Sequence, residues 1–255
     1  MISVVNYDLK LKHTIVLLSD IHYKNKKDYK KLDSIMRRIK KIHPDYICIT
    51  GDIIDDNNYK DKEYLIKFIT ELSYISKVIM CLGNHEYYID KKRKVFGLDE
   101  ILFKQISLID NVYLLKNDNV VFEDINFYGV HLPIEYYMHD KESLSSFNKY
   151  IKIKTIKDKY NVVLIHSPIN IVNYKSINDI DLVLSGHMHG GLTPNVLRKI
   201  LKGTGLVSPL KTLFPKYAYG HIKYNNTSIV ISGGINKLSN FLLRKILLSE
   251  IIVIK

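Results

Sequence analysis

Short apolar runs alternate along the chain with stretches in which apolar residues recur every three or four positions. Residues 14–19, 46–50 and 78–82 are apolar runs with the length and composition of buried strands. Between them, residues 29–42 carry apolar side chains at helical spacing, and residues 62–74 show a second helical pattern. This alternation of strand and helix predicts a mostly parallel sheet with crossover helices.

The middle and the end of the chain contain further short strands. Residues 111–115, 120–122 and 126–130 follow one another closely and predict a second sheet. After a polar helical stretch come more strand-like segments, at residues 162–165, 182–184, 220–223, 228–231 and 251–254. Because neither a linker nor an internal repeat divides the pattern, we expect a single domain over residues 1–255 with a full-sized core.

Side chains that can bind metal ions recur where the predicted strands end. They are Asp20, His22, Asp52, Asn84, His85, His166, His187 and His189. In an open α/β sheet, ligands bind beyond the carboxyl ends of the strands, so these strand ends bring the side chains towards one place. Carboxylates and imidazoles together suit manganese, iron or zinc. Each group alone is an ordinary loop feature, but their recurrence after successive strands predicts a metal site.

The order of these groups resembles the signature of the calcineurin-like metallophosphoesterases. The motifs that carry the resemblance are Asp20-x-His22, Gly51-Asp52, Gly83-Asn84-His85, His166 and Gly186-His187-x-His189. Features similar to the YkuE/YaeI-type phosphodiesterase branch are Gly190-Gly191 after His189, Lys216-Tyr217-x-x-Gly220, and Arg244 with Glu250 six residues on. The chain departs from that branch at Leu248 and Ser249, where prolines are usual. The resemblance covers the whole chain and implies an α/β fold, a four-layer α/β/β/α sandwich of two mixed β-sheets flanked by helices.

The resemblance also implies a site for two divalent metal ions, with manganese, iron or zinc as the candidates. One ion would be held by Asp20, His22 and His189, and the other by Asn84, His166 and His187, with Asp52 bridging the two. His85 would act at the leaving group, and we count His85, Asn84 and Asp52 as the catalytic residues. The implied reaction is hydrolysis of a P–O bond in a phosphodiester or pyrophosphate by water activated between the ions.

We expect a phosphorylated, anionic substrate, and a lipid or cell-envelope precursor is one such class. One alternative is a DNA nuclease of the same superfamily. Nucleic acid is the less expected partner, because so short a chain shows no added DNA-binding or coiled-coil region. A second alternative is a catalytically inactive metal-binding scaffold, and the intact ligand series together with His85 argues against it.

The charge of the chain also favours anionic partners. The formal net charge is +12, and residues 182–249 contain neither aspartate nor glutamate. Within that stretch, one helical face carries Val196, Leu197, Ile200 and Leu201, and the other carries Arg198, Lys199 and Lys202. Two interpretations of residues 193–215 stand side by side: a lid or edge that contacts an anionic membrane, or a segment whose apolar face packs on the protein's own sheet.

The remaining histidines and the two cysteines do not indicate a second site. Cys48 and Cys81 lie in apolar strand runs, so we expect neither a disulfide framework nor a cysteine zinc site. His131 follows a strand and is a further candidate to approach the metal site, against its simpler interpretation as a loop residue. The histidines expected at the surface or without an evident partner are His13, His43, His139 and His221.

The chain shows neither the apolar start of a signal peptide nor an apolar stretch of membrane-spanning length. We therefore expect a cytoplasmic monomer. A peripheral contact with an anionic membrane through residues 193–215 would be an addition to this localisation.

Overall fold

The secondary structure follows the hydrophobic pattern closely. The structure, a computed structural model, describes residues 2–55, 60–90, 95–98, 100–138, 144–169, 171–209, 211–235 and 247–255. The strands are β1 (Ile2–Tyr7), β2 (Ile15–Leu18), β3 (Tyr46–Thr50), β4 (Lys77–Cys81), β5 (Tyr87–Asp90), β6 (Val95–Leu98), β7 (Val112–Leu114), β8 (Asp118–Phe122), β9 (Ile125–Val130), β10 (Tyr160–Ile165), β11 (Leu182–Ser185), β12 (Gly220–Tyr224), β13 (Thr227–Ile231) and β14 (Ser249–Ile254). The α-helices are α1 (Tyr29–Ile42), α2 (Lys62–Ser73), α3 (Glu100–Ser107), α4 (Glu135–Met138), α5 (Leu144–Tyr150) and α6 (Asn195–Leu201).

The first large sheet has the strand order β1-β14-β2-β3-β4-β7. Neighbouring strands run parallel except β14 and β2, which are antiparallel. The parallel core β2-β3-β4, with α1 and α2 as its crossovers, is the arrangement that the sequence predicts.

The second large sheet has the order β12-β13-β11-β10-β9-β8. Its central strands are parallel, and the two outer pairs, β12 with β13 and β8 with β9, are antiparallel. The strands β5 and β6 form a separate antiparallel pair. The sequence analysis predicted neither β1 nor this pair. Strand β1 is an edge strand in which more and less buried residues alternate.

The assignment of residues 111–115 to the second sheet was wrong. Strand β7 pairs in parallel with β4 in the first sheet, with Val112 opposite Val78. Helix α3, which the sequence analysis did not identify, lies between β4 and β7 in the chain and buries Leu102, Phe103 and Ile106 in the same core cluster as α1 and α2. A crossover helix of this kind returns the chain to a parallel position, and for this reason β7 extends the first sheet.

The two sheets pack face to face, and helices cover their outer faces. Strand β2 shows the layering, because Ile15 and Leu17 join the cluster between the sheets while Val16 and Leu18 join the cluster under α1, α2 and α3. A third cluster on the far side of the second sheet includes Phe147 of α5. The four-layer sandwich that the resemblance implies is confirmed.

Two smaller observations concern the cysteines and the helices. Cys48 and Cys81 are buried free thiols, and burial raises the pKa of both. Among the described residues, no helix is both long and apolar enough to cross a membrane.

Phe127 offers a test of the layer between the sheets. Its side chain is fully buried, and its ring centroid lies 4.9 Å from that of Tyr46. We expect Phe127→Ala to lower the free energy of unfolding by about 3–5 kcal/mol, because the truncation leaves a cavity that two rigid sheets cannot close. The control is Val121→Ala on β8, where the side chain is 40% exposed and the loss should stay below about 1 kcal/mol. Urea unfolding with equal slopes measures both, and equal losses would show that Phe127 is not a core anchor.

Candidate metal centre

The two sheets present their strand ends to one place. The loops after β2, β3 and β4 come from the first sheet, and the loops after β10 and β11 come from the second. The side chains that these loops bury are Asp20, His22, Asp52, His166 and His187, with His189 and Asn84 half-buried beside them. The structure thus brings together the residues that the sequence analysis selected, and their roles in binding ions stay predictions.

The candidate ligand atoms of the described residues fall into three groups, of which two share Asp52 and a third joins His22, Asp55 and His85. In each group the nitrogen and carboxylate oxygen atoms lie within 4.8 Å of one another. The first group contains Asp20, His22, Asp52 and His189, and the second contains Asp52, His166 and His187. Asp52 belongs to both, so its carboxylate occupies the position of a shared ligand.

Several buried polar atoms of this site have no hydrogen-bond partner. Within the described part of the chain, Asp20 Oδ1, His22 Nε2 and Asn84 Oδ1 have none. Asp20 Oδ1 lies 3.7 Å from His189 Nε2 and 4.0 Å from His22 Nε2. Two ligand atoms that each lie about 2.1 Å from one ion are roughly 3–4 Å apart, so this spacing fits a shared cation. The donor set of carboxylates, imidazoles and one amide therefore fits divalent metal ions.

The backbone of the site is held in a conformation that few residues adopt. Asp20, His22, Asp52, His187 and His189 all have φ between 45° and 68°. Left-handed conformations cost non-glycine residues of the order of 1 kcal/mol each, so surrounding hydrogen bonds must fix them. The N–H of His22 donates to the carbonyl of Asp52 at 2.9 Å, and the N–H of His187 donates to Asp20 Oδ2 at 3.1 Å. The first bond joins two loops of the first sheet, and the second joins a loop of the first sheet to a loop of the second sheet.

His166 and Asp52 connect the sheets directly. His166 Nδ1 donates to the carbonyl of Thr50 at 2.6 Å, which directs Nε2 towards Asp52 Oδ2 at 3.2 Å. Burial lowers the pKa of His166, but the Asp52 carboxylate raises it more, to about 10. Burial raises the pKa of Asp52, but His166 and the neighbouring histidines lower it well below its usual range. The fixed tautomer is the one that a histidine ligand needs, and a cation at Asp52 competes with the proton on His166.

The two histidines after β11, His187 and His189, have lowered pKa values, in contrast to His166. Burial, followed by the charge of His166, lowers the pKa of His187 to about 3. Burial also lowers the pKa of His189. Both imidazoles are therefore neutral near pH 7, the state in which histidine binds a metal ion.

Asp55 belongs to the site although the sequence analysis did not select it. Its Oδ1 lies 3.3 Å from His22 Nδ1, and its Oδ2 lies 2.7 Å from Lys24 Nζ. The hydrogen bond with His22, together with Lys24, lowers the pKa of Asp55. A carboxylate at the second nitrogen of a ligand histidine fixes the tautomer and the ring orientation. In the sequence, the one indication of this role is that Asp55 follows Asp52 by three residues in the same loop after a strand.

Glu86 fixes the loops after β3 and β4 to each other. Its buried carboxylate accepts hydrogen bonds from the backbone N–H of Asp52 at 2.9 Å, of Ile53 at 2.8 Å and of Gly83. Burial, followed by the charge of Asp52, raises its pKa. The sequence places Glu86 directly after Asn84 and His85, but spacing alone does not reveal that it turns towards the backbone.

His85 lies at the edge of the ligand groups. Its side chain is 25% exposed, with Nε2 3.9 Å from Asp52 Oδ2 and Nδ1 3.9 Å from Asp55 Oδ1. Its backbone N–H donates to Asp52 Oδ1 at 2.9 Å. His85 thus orients the shared carboxylate through its backbone while its ring faces both the site and solvent.

The remaining histidines lie outside these groups. His131 Nε2 hydrogen-bonds the hydroxyl of Tyr87 at 2.7 Å and is in none of the three ligand groups of the described residues. His43 is exposed, as expected. His13 was expected at the surface, whereas the structure half-buries it, with Nε2 2.8 Å from Asp124 Oδ1. His221 contacts the ring of Tyr7, and His139 lies outside the described residues.

A buried ion pair lies behind the loop that carries His189. Arg198 Nη1 is 3.1 Å from Glu250 Oε2, and the two side chains are 10% and 4% exposed. Glu250 Oε1 also accepts the N–H of Gly233 at 2.6 Å. Arg198, which the sequence analysis placed on the basic face of α6 with Lys199 and Lys202, is thus largely buried, because it pairs with the carboxylate of Glu250. Arg244, which forms a motif with Glu250 in the resemblance to the YkuE/YaeI-type branch, lies outside the described residues.

Comparison with known proteins gives one family-model match, described as calcineurin-like phosphoesterase, over residues 13–191. An uncharacterized metallophosphoesterase of Helicobacter pylori is 30% identical over 226 residues, which cover 86% of this chain and 53% of that protein. A second one, of Campylobacter jejuni, is 30% identical over 184 residues, covering 72% of this chain and 46% of that protein. The UDP-2,3-diacylglucosamine pyrophosphatase LpxG of Chlamydia muridarum is 23% identical over 216 residues, covering 69% and 63% of the two chains.

The chain spans about half the length of the first two of these relatives. The narrower placement in the YkuE/YaeI-type branch stays a prediction.

The ion pair of Arg198 and Glu250 can be tested by stability. We expect Arg198→Met to lower the free energy of unfolding by about 3–5 kcal/mol, because it leaves the charge of Glu250 buried without a partner. The double variant Arg198→Met, Glu250→Gln should lose distinctly less, since the amide oxygen still accepts the N–H of Gly233 and carries no charge. Urea unfolding compares the two, and a double variant as unstable as the single one would argue against an important charge pairing.

Proposed function

Because the chain belongs to the calcineurin-like phosphoesterase family, we propose that it binds two divalent metal ions and hydrolyses a phosphodiester or pyrophosphate bond. The observation that carries the proposal is the pair of ligand groups that share the buried carboxylate of Asp52. Membership of this family supports hydrolysis of phosphoric ester bonds as the general activity. The number of ions, their identity and the substrate are the proposed part.

In this proposal each ion has its own set of ligands. The first would be held by Asp20, His22 and His189, the second by Asn84, His166 and His187, and both by Asp52. The mixture of carboxylates and imidazoles favours manganese, iron or zinc over magnesium or calcium. When bound, the ions would supply Lewis acidity that activates water and offsets charge on the phosphoryl oxygens.

The protein's own groups position and complete this chemistry. The N–H of His85 and the ring of His166 contact the two oxygens of Asp52 separately, so the shared carboxylate cannot rotate freely. Asp55 Oδ1 lies 3.3 Å from His22 Nδ1 and so fixes the orientation of the His22 ring. Side chains held in fixed orientations would place a phosphoryl group in line with its attacking water, which lowers the barrier to hydrolysis.

His85 is proposed to give a proton to the departing oxygen. Its ring is the part of the site that is 25% exposed, and its Nε2 lies 3.9 Å from the shared carboxylate, which is too far for a direct hydrogen bond. The ring is therefore within reach of a substrate bound at Asp52 without being fixed to that carboxylate. A general acid at this point contributes roughly 10²- to 10⁴-fold to the rate.

The substrate class is proposed to be a phosphorylated lipid or cell-envelope precursor. The relative LpxG bears the name of a pyrophosphatase that acts on a diacylated sugar nucleotide. The net charge of +12 suits a multiply charged anion. Both facts support this class over an uncharged or cationic substrate.

Metal content tests the shared ligand. We expect the purified wild-type protein to hold about two divalent ions per chain, as a pair of sites with one bridging carboxylate requires. Asp52→Asn should lower the content at both sites and lose more metal than Asp20→Asn, which removes a ligand from one group only. The control is Asp124→Asn, because Asp124 pairs with His13 and Lys12 away from the ligand groups. Elemental analysis that finds no metal after manganese loading would rule out the site.

Substrates with different leaving groups test His85. We expect His85→Ala to keep the metal content of the wild type and to lose roughly 10²- to 10⁴-fold in turnover of alkyl phosphodiesters, which need protonation of a poor leaving group. The loss should shrink for nitrophenyl esters, since nitrophenolate leaves without a proton. His43→Ala, at an exposed histidine, is the control. A defect of equal size on every leaving group would show that His85 has another role.

A further inference from the structure

Two neighbouring elements after the metal centre expose large apolar side chains. On α6, Val196 is 80% exposed and Ile200 is 72% exposed. On the turn that follows, Leu213 is 70% exposed and Phe214 is 62% exposed. Of the four apolar residues predicted to share the face of α6, the structure leaves Leu197 and Leu201 half-buried. The face is thus packed on one side and open on the other.

The turn after α6 is anchored to the metal centre. Gly191, two residues after His189, accepts hydrogen bonds at its carbonyl from the N–H groups of Leu206 at 2.7 Å and Val207 at 3.0 Å. The two arms of the turn are joined by a bridge between Val207 and Leu213, and by a hydrogen bond from the N–H of Phe214 to the carbonyl of Leu206 at 3.0 Å. The exposed side chains of Leu213 and Phe214 therefore lie on a braced hairpin, which we call the hairpin 205–215 and define by its described residues 205–209 and 211–215.

Every exposed charge on this segment is positive. Residues 182–249 contain no acidic side chain, and Lys199, Lys202, Lys211 and Lys216 are exposed. Arg198 is the exception among the cations of α6, because Glu250 uses its charge inside the protein. Apolar side chains and lysines thus share one segment, with no carboxylate of that segment to offset the charge.

This combination matches one kind of partner. A second copy of the chain is disfavoured, since a two-fold interface would bring lysines against lysines, and lysine is depleted in protein interfaces. The phosphate backbone of a nucleic acid would use the lysines but offers nothing to exposed valine, isoleucine and leucine. An anionic bilayer surface uses both, because lysines lie at its phosphates while apolar side chains enter the boundary of the acyl chains.

We propose that α6 and the hairpin 205–215 dock on an anionic membrane surface and present the metal centre to phosphate groups carried by lipids. Val196, Ile200, Leu213 and Phe214 enter the boundary between headgroups and acyl chains. The lysines provide the attraction to anionic lipids. The statement about lipid phosphates rests on the proposed function, whereas the docking itself does not.

Sedimentation with lipid vesicles tests the docking. The wild-type chain should sediment with phosphatidylcholine vesicles that contain phosphatidylglycerol and not with phosphatidylcholine vesicles alone, and binding should weaken as salt rises. The variant Lys199→Gln, Lys202→Gln should bind the anionic vesicles roughly thirtyfold more weakly, since each lysine contributes about a fivefold factor. A wild-type chain that ignores anionic vesicles overturns the proposal.

A second variant tests insertion. Serine at positions 196, 200, 213 and 214 (Val196→Ser, Ile200→Ser, Leu213→Ser, Phe214→Ser) should abolish most vesicle binding at every salt concentration, and its urea midpoint should stay close to that of the wild type because the four side chains are exposed. The matched control is Ile101→Ser, Leu108→Ser, where the side chains are 72% and 75% exposed at α3 and the residue that follows it. If the control loses binding equally, the effect is general hydrophobicity and the proposal is wrong.

Two further readouts separate the alternatives. If light scattering shows a dimer of the wild-type chain that the serine variant dissociates, the surface is a self-interface and the membrane proposal fails. Turnover of a soluble nitrophenyl phosphodiester should be unchanged in the serine variant. A wild-type chain that binds vesicles but hydrolyses no phosphodiester would contradict the proposed function while leaving the docking intact.

Discussion

The buried carboxylate of Asp52 is the group on which the rest of the structure depends. A carboxylate taken out of water needs a compensating cation or several donors, and Asp52 is 1% exposed. One oxygen accepts a backbone N–H of the first sheet's loops, and the other faces His166 of the second sheet. Hydrogen bonds from the surrounding loops and the buried Glu86 hold this charge in place. It lies between two groups of candidate ligands that both include Asp52.

Much of this arrangement could be predicted because the chemistry follows directly on the hydrophobic pattern. Each candidate ligand lies within a few residues of the end of a buried strand, so locating the strands also locates Asp20, Asp52 and His166. The parallel order of β2, β3 and β4 then places their carboxyl ends at one edge. At these positions the local sequence pattern agrees with the three-dimensional arrangement, so a site of this kind can be predicted from one sequence.

The features that escaped prediction depend on contacts between distant segments. Residues 111–115 were assigned to the wrong sheet because sheet membership is decided by the crossover through α3, which the strand pattern does not contain. Glu86 and Asp55 look like ordinary loop acids until the loops are folded onto each other. Arg198 has the sequence position of a solvated residue, and only its approach to Glu250 from the far end of the chain makes it buried.

The proposed centre has two ions that share one carboxylate, and anomalous diffraction from crystals of manganese-loaded protein tests this claim most directly. Data collected on both sides of the manganese absorption edge should show two peaks about 3.5–4 Å apart. One peak should lie between Asp20, His22 and His189, the other between Asn84, His166 and His187, and the carboxylate of Asp52 should contact both. A single peak, or two peaks of which Asp52 touches only one, would contradict the account.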